Sequence, residues 1–293
     1  DWIRDITLID NDRTIVSASW DTDIRVWNLV SGEQTGLLHG HRKQIEVLAA
    51  DPGSRILASA GWDMAVRVWN LKSGETTHAL TGHDRYIRSL AVSLDGLLIA
   101  SGDEGGNIRL WDSKTGELLR SITCGTGVIH SLCFSPNRRW LLAGLHDSTI
   151  RLLPLEDPMA EPIICHGHVG PVHALKFSSC GRWFISGSRD KTLRLWQTGK
   201  KSCHRLIEGH IDAINSVDMA FDPRFAASGG DDETVRIWQF VWDYEFPGWK
   251  DWDENAMPLV KAFFLRHQND IKNPSDEMIH RLTELLIAEF QFR

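Results

Sequence analysis

The sequence predicts an all-β repeat protein followed by a short C-terminal α-helical extension, and three observations predict it. Six stretches align on one another: SASWDTDIRVW (17–27), SAGWDMAVRVW (59–69), SGDEGGNIRLW (101–111), AGLHDSTIRLL (143–153), SGSRDKTLRLW (186–196) and SGGDDETVRIW (228–238). Their last residues are spaced by 42, 42, 42, 43 and 42. A second marker keeps the same phase, at Gly40-His41, Gly82-His83, Gly167-His168 and Gly209-His210. Third, 13 of the 293 residues are Trp against 2 Tyr, the bias expected when one structural position is used repeatedly.

Each period carries four strand signals, seen most clearly in the second. After Gly40-His41 comes the half-alternating run IEVLAAD (45–51), then the small-residue strand RILASAG (55–61). A tight turn at the Asp leads into AVRVWNL (65–71), and a weaker run, ETTHALT (75–81), leads to the next Gly-His. Turn signals at Asp51-Pro52-Gly53, Asp95-Gly96 and Pro136-Asn137 separate first strands from second ones. One unit of about 42 residues cannot bury both faces of its sheet alone, whereas stacked units bury each other's.

Residues 241–293 have another character. VWDYEFPGWKDWDENAMP holds Trp242, Trp249 and Trp252 outside the register of the repeats. ENAMPLVKAFFLRH (254–267) then places Met257, Val260, Phe263 and Phe264 on one helical face, with Asp253 or Asn255 as the cap and Pro258 in the first turn. SDEMIHRLTELLIAEF (275–290) does the same with Met278, Ile279, Leu282, Leu285, Leu286 and Phe290. The expected division is therefore 1–240 for the repeats and 241–293 for an extension with two amphipathic helices.

Spacing, Gly-His, Ser-x-x-x-Asp and Trp, present together in several copies, resemble the WD-repeat (WD40) family over roughly residues 1–240. The resemblance implies a β-propeller, in which each repeat supplies four antiparallel strands to a radial blade. The family's usual number is seven blades and six repeats are visible. The expectation is thus part of a seven-bladed ring within a longer chain, a closed six-bladed ring being the alternative. QFVWDYEF (239–246) either bends to complete the sixth blade or leaves that to a strand upstream of Asp1. The tail resembles the one that follows WD repeats in bacterial multidomain signalling proteins, the STAND ATPases or serine/threonine kinases. It is expected to cap the propeller or to dock against another domain of the same chain.

In this family the His, Ser, Asp and Trp of a blade form a hydrogen-bonded network. The resemblance gives complete sets at His41/Ser59/Asp63/Trp69, His168/Ser186/Asp190/Trp196 and His210/Ser228/Asp232/Trp238. A Ser-His-Asp set can suggest a catalytic triad, but one recurring at a structural period belongs to the scaffold. Repeat 1 keeps Ser17, Asp21 and Trp27; repeat 3 keeps His83, Ser101 and Trp111 but has Gly105 at the Asp position. Repeat 4 has Gly125, Ala143 and Leu153 for His, Ser and Trp, and keeps only Asp147. It is expected to be the least rigid blade, or one supported by a neighbour. An Arg two residues before each Trp position (25, 67, 109, 151, 194, 236) recurs too regularly for a ligand site.

The resemblance also implies where partners bind: the face carrying the loops between blades, at the residue before the turn Asp and at two residues near the start of the first strand. On this chain those positions give Trp2, Arg4 and Trp20, then Gln44, Glu46 and Trp62, then Tyr86, Arg88 and Glu104. The later repeats give Val128, His130 and His146, then Pro171, His173 and Arg189, then Ala213, Asn215 and Asp231. Large aromatics and arginines make binding hot spots, so Trp2, Trp20, Trp62 and Tyr86, interleaved with Arg4, Glu46, Arg88 and Glu104, make repeats 1–3 the expected protein- or peptide-binding surface. The acids beside the arginines point to a mixed-charge partner. His130, His146 and His173 have no carboxylate or Cys at ligand spacing, so no metal site is expected.

Other function classes are disfavoured. Lys+Arg 32 against Asp+Glu 39 gives a net charge of −7, unlike a general phosphate-backbone binder. No apolar run approaches the roughly 18 residues of a membrane span, and no signal peptide opens the chain. Five cysteines without a CxxC pair read as reduced thiols of a cytoplasmic protein. GxSxG, Walker A, HExxH, GxGxxG and EF-hand patterns are missing, which leaves no residue to defend as catalytic and no cofactor to expect. The expected function is a non-catalytic recognition module, the sensor or regulatory propeller of a larger bacterial signalling or defence protein. A scaffold propeller in a multiprotein assembly is the alternative, and a hydrolase using the central channel a distant third.

Overall fold

A computed structural model describes residues 1–240, apart from 10–12, 52, 54, 55, 72, 126, 158 and 221. The helices expected at 254–267 and 275–290, and nearly all of the 239–246 segment, lie outside the described residues. Each 42-residue period folds where its strand signals lie. Blade 1 holds β1 (Ile3–Ile9), β2 (Thr14–Ser19), β3 (Ile24–Asn28) and β4 (Gln34–Leu38); blade 2 holds β5 (Ile45–Ala50), β6 (Leu57–Gly61), β7 (Val66–Trp69) and β8 (Thr76–Leu80). Blade 3 holds β9 (Ile87–Val92), β10 (Leu98–Asp103), β11 (Asn107–Asp112) and β12 (Leu118–Thr123). Blade 4 follows with β13 (Ile129–Phe134), β14 (Trp140–Leu145), β15 (Ile150–Pro154) and β16 (Ile163–Cys165). Blade 5 has β17 (Val172–Phe177), β18 (Trp183–Ser188), β19 (Leu193–Gln197) and β20 (Cys203–Ile207). Blade 6 has β21 (Ile214–Met219), β22 (Phe225–Gly230) and β23 (Val235–Gln239), without a fourth strand among the described residues.

Every sheet is an antiparallel meander in chain order, so each blade is built from local contacts. The first strands are innermost: β1 packs on β5, β5 on β9, β9 on β13, β13 on β17 and β17 on β21. The apolar core is divided accordingly into five clusters, one at each junction between successive blades. Between blades 1 and 2, Ile9, Val16, Ala18 and Ile24 meet Ile45, Leu48, Leu57 and Trp69. Between blades 2 and 3, Ala58, Val66 and Val68 meet Ile87, Leu90, Ile99 and Trp111. Equivalent clusters join blades 3–4, 4–5 and 5–6. Blade 2 thus offers small and β-branched residues to its successor, while blades 4 and 5 offer Leu142, Leu152, Leu193 and Leu195. The repeat's Trp faces the predecessor in blades 2, 3 and 5, and Leu153 does so in blade 4.

At the two ends of the series these faces have no such neighbour among the described residues. Ile3 and Ile6 of β1 occupy the positions of the buried Ile45 and Leu48, yet are 62% and 63% exposed. Val235 and Ile237 of β23 match the buried Val66 and Val68, yet are 77% and 71% exposed.

The regular arginine is a fold position, as its spacing suggested. In blades 2, 3 and 5 its guanidinium lies against the glycine of Gly-His. A Cβ on Gly82 would come 2.7 Å from Arg109 Nη1, and one on Gly167 2.6 Å from Arg194 Nη1. Both glycines also sit at positive φ, so glycine serves there for close approach and for backbone freedom together.

Candidate functional site

The loop-bearing face is positioned by the polar network beneath it. In blade 2 the Trp69 indole N–H donates to Ser59 Oγ (2.8 Å), Ser59 Oγ pairs with His41 Nε2 (2.6 Å), and His41 Nδ1 pairs with Asp63 Oδ2 (2.9 Å). Ser59 accepts from the indole, so its hydroxyl proton goes to Nε2 and the imidazole carries its own proton on Nδ1. Every donor in the chain then has an acceptor. The same chain runs through His168, Ser186, Asp190 and Trp196, and through His210, Ser228, Asp232 and Trp238, at 2.7–2.8 Å. Blade 1 keeps its Trp27–Ser17 bond (2.9 Å).

Blade 3 completes the network by another route. Gly105 stands at the expected Asp position, but Asp103 supplies the carboxylate, 2.7 Å from His83 Nδ1. Asp103 ends β10 at the position held by Gly61 in blade 2 and reaches the imidazole from there. The register shift beside it recurs in every blade and is not what sets blade 3 apart. Blade 4 loses the network in concert: Ala143, Leu153 and Cys124 join one apolar cluster, and no network partner is left stranded.

The network aspartates also build the turn that carries the face. Asp63, Asp190 and Asp232 accept the backbone N–H two residues on, and also that of the residue after the network His. Burial pushes the Asp63 carboxyl up, but the hydrogen bond from His41 and the backbone donors outweigh it and hold the group below its ordinary value. Asp190 is held down against the same burial by His168 and Thr192, and Asp232 chiefly by the Thr234 hydroxyl. The residue after the turn Asp is left-handed in blades 1, 2, 4, 5 and 6: Thr22, Met64, Ser148, Lys191 and Glu233. Non-glycine residues adopt that conformation at a cost of order 1 kcal/mol or more each. The turn is therefore held by its aspartate rather than by intrinsic preference.

On this platform the predicted face residues come together. The N–H of the residue before the turn bonds the carbonyl at the start of the first strand in every blade: Trp20 to Trp2, Trp62 to Gln44, Glu104 to Tyr86, His146 to Val128, Arg189 to Pro171 and Asp231 to Ala213. Arg4, Glu46, Arg88, His130, His173 and Asn215 form an inner series with one member per blade.

Across blades 1–3 the side chains make a continuous aromatic and ionic arc. Trp2 stacks on Trp20 (centroids 5.2 Å apart), Trp20 meets Trp62 (5.9 Å), and Trp62 stacks on Tyr86 (5.0 Å). Arg4 lies over Trp20 and Arg88 over Trp62, while Lys43, which the sequence did not single out, lies over Tyr86. Glu46 is buried beneath them and accepts from Arg4 Nε (3.0 Å), Arg88 Nη1 (2.7 Å) and Trp62 Nε1 (2.8 Å). Arg88 Nε reaches on to Glu104 (2.7 Å). Glu46 and Glu104, read from sequence as complementary to a partner, are thus engaged inside the arc, Glu46 by arginines of the two adjacent blades and Glu104 by Arg88 of its own blade.

Blades 4–6 differ. His130 Nε2 lies 3.1 Å from His146 Nδ1, the His130 and His173 rings are 4.8 Å apart, and His173 Nδ1 pairs with Asn215, which donates to Asp231. Burial pushes the His130 imidazole down to about 4, helped by the charges of His173, His146 and Arg88. Arg189 is exposed and makes no side-chain hydrogen bond or ion pair among the described residues. No group of three or more His, Cys, Asp or Glu that could hold a metal ion occurs among them. No helix there is long and apolar enough to cross a membrane.

A family model described as WD domain, G-beta repeat, matches the chain six times, at residues 1–28, 32–70, 74–112, 116–152, 161–197 and 201–239. The matches are offset from the blades by one strand. Residues 32–70, for example, hold β4 of blade 1 together with the three inner strands of blade 2.

Proposed function

The chain belongs to the WD domain, G-beta repeat family, and from that premise we propose that its loop-bearing face binds a protein or peptide partner without catalysis. WD40 propellers generally serve as protein-interaction modules. The observation that carries the assignment to this face is the aromatic arc of blades 1–3. Trp2, Trp20, Trp62 and Tyr86 form one ladder, held by a buried carboxylate that two arginines and an indole share. Such a surface is ordered before binding, so a partner's apolar side chains meet it at little entropic cost.

The finer reading is a sensor or regulatory propeller of a larger bacterial cytoplasmic signalling or defence protein, in which a further blade completes a seven-bladed ring. The exposed Ile3/Ile6 and Val235/Ile237 faces support the extra blade. They favour equally a second reading, a scaffold in which these faces join propellers or other subunits. Binding assays on the natural full-length protein with Trp20→Ala/Trp62→Ala test the working face. The expected result is loss of the partner by a variant that still unfolds cooperatively, at a somewhat lower melting temperature because Glu46 loses the Trp62 donor. Retained binding by the folded variant removes blades 1 and 2 from the site.

A further inference from the structure

In five blades the residue before the turn meets its partner sixteen positions earlier: Trp20 with Arg4, Trp62 with Glu46, Glu104 with Arg88, His146 with His130 and Asp231 with Asn215. Blade 5 breaks the rule. Its pair is Arg189 and His173; His173 Nδ1 is turned to Asn215, and Arg189 makes no side-chain contact of this kind. Its guanidinium offers five N–H donors and, having no protein acceptor among the described residues, turns them to solvent.

Its surroundings are set by the contacts of the neighbouring loops. Val169 N–H bonds Asp190, and a Cβ on Gly170 would touch Asp190 and Arg189, so the loop before β17 lies directly on the Arg189 turn. Lys191 Nζ donates to the carbonyl of Ile211, tying the loop before β21 to the same turn. Val169 is 85% and Ile211 75% exposed, the corresponding residues elsewhere being the polar Arg42 and Asp84. The neighbouring acids are engaged: Asp190 in the network, Asp231 with Asn215, and Asp212 with its following backbone N–H.

We propose that the Arg189 turn is a subsite for the carboxylate of an Asp or Glu in a bound peptide, with Val169 and Ile211 taking flanking aliphatic side chains. Arg189 supplies the planar two-pronged contact that a carboxylate matches, and Lys191 adds a second positive charge. The subsite rests on the reading of this face as peptide-binding. It makes the footprint bipartite: an aromatic arc over blades 1–3 and an acid-plus-aliphatic contact at the edge between blades 5 and 6.

The test is a phage library of twelve-residue peptides selected on the full chain, followed by binding of the synthetic winners. The expected winners carry Asp or Glu beside Leu, Ile or Val. Arg189→Ala weakens them by roughly tenfold or more, the value of a charged hydrogen-bonded contact. Arg189→Lys falls between, and replacing the peptide's Asp by Asn causes no further loss in Arg189→Ala. Winners without an acidic residue, or winners bound equally by Arg189→Ala, overturn the subsite. If those same winners are lost on Trp20→Ala/Trp62→Ala, the face reading survives; if neither variant matters, or nothing is selected, both fall. Phosphoserine binding tenfold tighter than Asp in the same peptide would replace the carboxylate by a phosphate and overturn the assignment.

Discussion

Trp69 and Trp62 lie seven residues apart and do different work. Trp69 is buried at the junction of blades 1 and 2 and ends a hydrogen-bonded chain through Ser59, His41 and Asp63. Trp62 is half-buried on the face, its N–H given to Glu46 and its ring to Tyr86 and Arg88. Trp69→Ala should lower stability by about 3–5 kcal/mol, a cavity plus an orphaned hydroxyl, read by denaturant unfolding; a change within 0.5 kcal/mol or so, as for an ordinary surface substitution, contradicts the blade assignment. His130 sets a pH window. Its imidazole titrates near 6.5 when unfolded and near 4 when folded, so between these values the unfolded state binds more protons and stability falls as pH falls. The groups that face it are His146, His173 and Arg88. The network aspartates, held below their ordinary value, lose their contribution only at lower pH still. Asp5, pushed up to about 6 by burial, contributes the opposite slope. His130→Gln should therefore make stability at pH 4 higher relative to pH 6.5 than in the parent chain; an unchanged slope rules out His130 as a contributor. Much of this scale was legible in the sequence, because Ser, Asp and Trp recur at fixed offsets. Asp103 was not, since it stands two residues before the turn position, where the other repeats carry Ser19, Gly61, Leu145, Ser188 and Gly230, and only the fold shows that it reaches His83. Nor were the pairings of Glu46 and Glu104, which depend on side chains about 42 and 16 residues away.

At the scale of the element, the unit that packs is a blade with two unlike faces. Periodicity predicts that each blade buries both faces, but the residues that do so change along the series. Ala58, Val66 and Val68 face forward from blade 2, whereas Leu142 and Leu152 do from blade 4 and Leu193 and Leu195 from blade 5. What periodicity alone does not tell is which faces are left uncovered, since Ile6 and Leu48 look alike in sequence and differ only in whether a neighbour exists. Blade 4 shows how a junction survives without its polar network, by replacing His, Ser and Trp with Gly125, Ala143 and Leu153 together. If a further blade closes the ring in the natural full-length protein, Ile6→Arg and Ile237→Arg each bury an unpaired charge and lower its melting temperature by several degrees. Unchanged melting temperatures for both contradict closure by a blade.

At the scale of the molecule, five junctions and five or more turns of one design hold six short segments on a common face. That repetition makes the face rigid without any large core of its own. The arc over blades 1–3 and the exposed Arg189 turn then differ from one another because the face residues are free of the network and can vary. The most direct measurement is amide hydrogen exchange of the full chain with and without a peptide selected on it. Added protection is predicted at residues 2–4, 20–21, 44–46, 62–63, 86–88 and 104, where the backbone carries the aromatic arc. Protection confined to the outer strands β4, β8, β12, β16 and β20, with none at those positions, would contradict the assignment of the loop-bearing face as the working surface.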